Sequence, residues 1–218
     1  MKNPPQIINS TIHFVKTHLQ DAEGGHDWWH IYRVWNLTLK ILESEEADRL
    51  VCELGALLHD IADHKFHDGN ENKGSLIASD FLEKEKLDDN EIEKVVYIIE
   101  NISFKGGINE NIEKSPELKI VQDADRLDAM GAIGIARTFN YGGFKNRKIY
   151  NPDIETKKYK SALEYKKSDS PTINHFYEKL LLLKNLMNTE TGKKIAENRH
   201  QFMLEYLDRF FNEWEGNC

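Results

Sequence analysis

Apolar residues recur along the chain at the three-and-four spacing of amphipathic helices, and no series of alternating strand-like positions interrupts them. After the paired prolines Pro4 and Pro5, Ile7, Ile8, Ile12, Phe14, Val15 and Leu19 line one face of a first predicted helix, which stops near Gly24-Gly25. A second is predicted from about His26-Asp27, turning Trp29, Val34, Leu37, Thr38, Ile41 and Leu42 toward a core. Ser44-Glu45-Glu46-Ala47-Asp48 opens a third, with acidic residues in the first turn where the helix dipole favours them. Its apolar run Leu54, Ala56, Leu57, Leu58, Ile61 and Ala62 predicts burial on most of its circumference, and it delivers His59-Asp60.

The polar stretch 64–74 reads as a surface loop. Helices follow over 75–84 and 89–103, the second with Ile92, Val95, Val96, Ile98, Ile99 and Ile102 inward. Ser115-Pro116-Glu117 starts another, which runs into Asp123-Ala124-Asp125-Arg126-Leu127-Asp128. A short helix over 131–139 precedes a long irregular segment, 140–171, of the kind that is usually functional or mobile. Two amphipathic helices, 172–186 and 189–214, broken at Asn188, complete the chain. The fold class is therefore all-α, and 218 residues fit a single domain.

Composition narrows the function. A hydrophobic share of 39% supports a core, and a formal charge of -8 argues against a broad basic face for nucleic acid. Cys52 and Cys218 lie too far apart in sequence and setting to build a disulfide framework, which points to a reducing cytoplasm. Met1-Lys2-Asn3-Pro4-Pro5 lacks the apolar core of a signal peptide, and no run approaches the roughly 18 apolar residues of a membrane span.

Three constellations carry chemistry. In the first, 25–34, His26 and His30 share a helix face and Arg33 follows one turn beyond. The second is His59-Asp60 and the third is 123–128. An imidazole and a carboxylate inside an apolar helix need a strong partner, and a divalent cation is one. Two imidazoles and two carboxylates from three helices suit Mn²⁺, Fe²⁺, Co²⁺ or Zn²⁺ better than Mg²⁺. The structural alternatives are a helix-capping role for His59 and Asp60, a capping role for His26, and solvation of Asp123 and Asp128 or their pairing with Arg126.

The order of a His, a later His-Asp doublet and a distant Asp resembles the HD-domain metal-dependent phosphohydrolases. Residues 25–34, 56–61, 123–139 and 141–147 look like the YpgQ/YedJ-type branch of that family. Asn146 stands where glycine is expected, which bears on the shape of that loop. The resemblance implies an all-α HD helical bundle with a long irregular segment and C-terminal helices. It implies metal ligation by His30, His59, Asp60 and Asp125. It also implies one Mn²⁺-like ion, with Mg²⁺, Fe²⁺, Co²⁺, Ni²⁺ or Zn²⁺ as alternatives. The implied reaction is pyrophosphohydrolysis of nucleoside triphosphates. Alarmone-type pyrophosphate hydrolysis, monophosphatase action and a regulatory module without turnover are the other readings.

Within that frame Asp63 is the candidate to position or deprotonate water. Lys65 lies just past the ligands, and His26, Arg33, Arg126, Arg137 and Arg147 are candidates to meet phosphate. Lys65 and His26 are the preferred pair, and Asp128 supports Asp125 or pairs with Arg126. The aromatics Trp28, Trp29, Tyr32, Tyr141, Phe144 and Tyr150 could stack on a nucleobase or pack in the core, and at least Trp29 and Tyr32 are assigned to packing. The expected partner is a small nucleotide, with no nucleic acid or membrane, acting on a monomer or homodimer.

Overall fold

The computed structural model describes residues 4–20, 27–61, 73–102, 113–157 and 169–217. These form helices and irregular connections, and no strand occurs among the described residues. They group into two compact units, one of residues 4–102 and 113–125 and another of residues 126–217.

The first unit holds α1 (Pro4–His18), α2 (Trp28–Ile41), α3 (Arg49–Leu58), α4 (Lys73–Lys84), α5 (Asp89–Asn101) and most of α6 (Pro116–Asp128). Helix α3 is its centre, packing on α1, α2 and α5, while α4 pairs with α5. Val51, Cys52, Leu54, Ala56, Leu57 and Leu58 are all fully buried, as expected for a helix apolar around its circumference. Burial, then the carboxylates of Glu117, Asp48 and Glu53, pushes the Cys52 thiol well up, so it remains an uncharged core residue.

Aspartates start the helices. The Asp48 carboxylate accepts from the N–H groups of Leu50 and Val51 at 3.0 and 3.2 Å, which holds the chain extended there and begins α3 at Arg49. Glu45 and Glu46 therefore precede the helix, and no acidic residue lies in its first turn. Asp27 and Asp88 cap α2 and α5 in the same way, and the Ser115 hydroxyl accepts from Leu118 N–H beside Pro116.

The second unit holds the end of α6, α7 (Gly131–Phe144), α8 (Asn174–Glu178), a 3-10 helix (Leu180–Leu186) and α9 (Glu190–Trp214). Helix α9 packs on α7 and on the 3-10 helix. Two boundaries differ from the sequence expectation. Helix α7 continues through Tyr141-Gly142-Gly143-Phe144, because Gly142 serves close packing and not a turn. A Cβ there would stand 2.3 Å from Thr172 Oγ1. The expected helix over 172–186 is instead α8 and a 3-10 segment, separated at Lys179 (φ -143°). In the tighter helix side chains three apart eclipse, so Leu180 and Leu183 share a buried face while Leu182 is exposed.

Asn146 answers the question its sequence position raised. It adopts φ +53°, with Arg147 N–H donating to the Gly142 carbonyl and Asn146 N–H to the Gly143 carbonyl. This is a Schellman cap whose left-handed residue is asparagine, the residue that tolerates that region best after glycine. Lys86 occupies the same position after α4 (φ +62°).

Candidate metal centre

Local capping rules place the ligands. Asp27 accepts from His30 N–H at 3.0 Å, so His30 is the third residue of α2, with 2% of its surface exposed. His59 is the C-cap of α3, and its Nδ1 lies 2.8 Å from the Ala56 carbonyl oxygen. A carbonyl only accepts, so Nδ1 carries a proton, and Nε2 is the nitrogen left to face a ligand. One imidazole thus satisfies a helix-end carbonyl and presents a ligand nitrogen, so the capping role and the ligand role coexist. Asp60 occupies the turn that follows.

The donor atoms converge. His30 Nε2 lies 3.2 Å from His59 Nε2 and 3.9 Å from Asp60 Oδ2. Asp125 Oδ1, on α6, is 3.5 Å from His30 Nε2 and 3.8 Å from His59 Nε2. Ligands about 2.1 Å from a shared ion stand roughly 3.0 to 3.4 Å apart, so the imidazole pair already has ligand spacing. Ligand atoms of His30, His59 and Asp60 all lie within 4.8 Å of one another, the metal-competent group among the described residues. Two nitrogens and two carboxylates, all lone-pair donors, fit a divalent transition ion.

His26, Asp63 and Lys65 lie outside the described residues. Arg33 is half-buried on α2. In the second unit, an Arg126 guanidinium nitrogen donates to the Leu186 carbonyl. Asp128 is 1% exposed, and its carboxylate meets Arg137 at 2.5 Å. Asp123 is fully buried, not solvated. The Arg147 guanidinium stands 5.5 Å above the Tyr141 ring, and Tyr150 packs among Phe210, Phe211 and Trp214.

Trp29 and Tyr32 overturn the packing assignment, being 60% and 42% exposed. Sequence periodicity also missed Arg199, whose guanidinium donates to the Leu127 carbonyl and whose charge interacts with Asp128. A lone arginine more than seventy residues from its partner in sequence leaves no pattern to find.

An all-α framework that gathers a His, a His-Asp doublet and a distant Asp into one lone-pair cluster defines a metal-dependent hydrolase of the HD type. The HD domain family model matches residues 28–130, and the chain belongs to that family, in its YpgQ-like branch. It is 37% identical over 210 residues to Bacillus subtilis YpgQ, covering 93% of this chain and 91% of that protein. The crystal structure of YpgQ in complex with ADP superposes with a TM-score of 0.74 at 31% identity over 97% of this chain and all of that one. An HD-superfamily hydrolase from Bacillus thuringiensis gives a TM-score of 0.78 at 42% identity over 98% of this chain and all of that one. No helix among the described residues is long and apolar enough to cross a membrane.

Proposed function

We propose that the chain is a nucleotide phosphohydrolase, most specifically a pyrophosphohydrolase that converts nucleoside triphosphates to monophosphate and pyrophosphate. The observation that carries this reading is the lone-pair cluster of His30, His59, Asp60 and Asp125, with His59 Nε2 left to face a ligand. A bound divalent ion supplies charge neutralisation for phosphate oxygens and a lowered pKa for water at the site. The complex of the relative YpgQ with ADP supports a nucleotide as the phosphate carrier.

In this reading water adds to the α-phosphorus, the bond to the bridging oxygen breaks and pyrophosphate leaves. Asp63, three positions beyond Asp60, positions that water and takes its proton. Lys65, His26 and Arg33 meet the phosphates. An Arg126 guanidinium nitrogen donates to the Leu186 carbonyl, and Arg137 pairs with Asp128.

Phosphorus NMR of products, with Mn²⁺-loaded protein and a nucleotide panel, tests the proposal. Monophosphate plus pyrophosphate from a triphosphate is the expected result. Orthophosphate from a monophosphate moves the assignment to a nucleotidase. Release of pyrophosphate from an alarmone alone moves it to that branch. No turnover with metal bound leaves a regulatory module.

A further inference from the structure

Helix α2 carries the ligand His30, and its geometry shows which flank of that ligand opens to solvent. Successive residues turn by about 100°, so Val34 and Ile31 lie on one side of His30 and Arg33 and Trp29 on the other. Ile31 and Val34 are fully buried, so that side is core. The opposite side rises from half-buried Arg33 to Trp29, 60% exposed, and then to Tyr32, 42% exposed. Outward from the ligand imidazole, the helix thus presents a guanidinium and then an indole.

The indole is braced. Trp29 and Tyr32 meet at 5.9 Å and 84°, and Tyr32 also meets Trp28 at 6.1 Å. Trp28 is held in turn by the Lys16 ammonium, 4.6 Å from its ring centroid. A cluster anchored in this way keeps an exposed aromatic surface at low entropy cost, the property a stacking platform needs.

We infer that Trp29, braced by Tyr32, is the stacking platform for the nucleobase of the bound nucleotide, with Arg33 toward the phosphates. The order of metal ligand, cation and aromatic along one flank matches the order of phosphate, phosphate and base in a nucleotide. The inference rests on the nucleotide reading above and names the residue that recognises the base.

The test uses full-length, Mn²⁺-loaded protein with two diphosphate probes, ADP and inorganic pyrophosphate, and two variants, Trp29→Ala and Trp29→Phe. Calorimetry reads affinity, tryptophan fluorescence reports the stack, and thermal melting confirms folding. In the expected result, Trp29→Ala binds ADP about tenfold more weakly while pyrophosphate affinity is unchanged. Trp29→Phe keeps ADP affinity within about twofold but loses the ADP-dependent quenching expected of the parent protein. Equal weakening of both probes by Trp29→Ala, or of neither, overturns the stacking role while leaving the nucleotide site intact. A parent protein that binds pyrophosphate but gains nothing from adenosine also overturns it. Failure of the parent protein to bind either probe instead removes the nucleotide reading itself.

Discussion

Two acidic clusters meet the same helix and differ in kind. Around Asp125, His30 Nε2 lies 3.2 Å from His59 Nε2, 3.5 Å from Asp125 Oδ1 and 3.9 Å from Asp60 Oδ2, and every residue is of a type that ligates metal. Around Asp128, one turn later, the carboxylate meets Arg137 at 2.5 Å and interacts with Arg199, so charge is balanced within the protein. A set of like donors gains from an ion brought from outside, whereas a donor-acceptor set is complete and serves the fold. Asp125 is 30% exposed and Asp128 1%, but burial does not make the distinction. The sign and type of the facing groups do.

The strongest way to break this comparison is to exchange the effects of the two clusters. Asp60→Ala is expected to abolish Mn²⁺ binding and lower turnover at least about a thousandfold, roughly 4 kcal/mol of barrier. Elemental analysis and steady-state kinetics read both. Turnover that survives would sink the metal assignment. Arg137→Met should do the reverse, costing about 3 kcal/mol of stability by removing the cation in direct contact with the buried Asp128. Urea unfolding measures it, with Mn²⁺ affinity expected within twofold of the parent.

Gly134→Ala probes the support of that ion pair, since Gly134 precedes Arg137 by one turn of α7. Its new Cβ would fall 2.2 Å from the Ala129 carbonyl oxygen, a backbone atom that cannot swing aside. A loss of about 2 kcal/mol is expected in the same unfolding assay. An unchanged midpoint would mean that α7 shifts freely.

His175 sharpens the contrast between a ligand imidazole and a structural one. Burial, then Lys179 and Arg147, pushes it from 6.5 down to about 3. The folded ring stays neutral while the unfolded one gains a proton below about 6.5. Stability should therefore fall as pH drops from there toward 3, by up to about 1.4 kcal/mol per pH unit. Denaturation at pH 7, 6 and 5 reads the slope, and His175→Gln should flatten it. The smallest effect is expected of Asn146→Gly, a gain of about 0.5 kcal/mol at the left-handed cap, visible as a small rise in melting temperature.

Much of this was legible beforehand because it depends on local rules. Helical periodicity located α1, α2, α3, α5, α6 and α9, and the wholly apolar face of α3 marked it as central. Motif order named His30, His59, Asp60 and Asp125, and the donor atoms of His30, His59 and Asp60 do lie within 4.8 Å of one another. The misjudged stretches were those where a residue type has two uses. Gly142 and Gly143 resemble a turn but continue α7, and Gly142 allows close packing against Thr172. The leucines of 180–186 fit an α-helix as well as the 3-10 helix they form. Trp29 and Tyr32 resemble core residues until their exposure is known.

By itself, then, the amino-acid order determined an all-α chain with capped helices and a His, His-Asp, Asp set of ligands, because capping and amphipathicity act over one or two turns. Only the tertiary structure decided that Nε2 of His30 and His59 face each other, that Asp128 belongs to Arg137, and that the indole of Trp29 is open to solvent. Those facts depend on how helices distant in sequence pack, and on which flank of each is left uncovered. No local pattern encodes that.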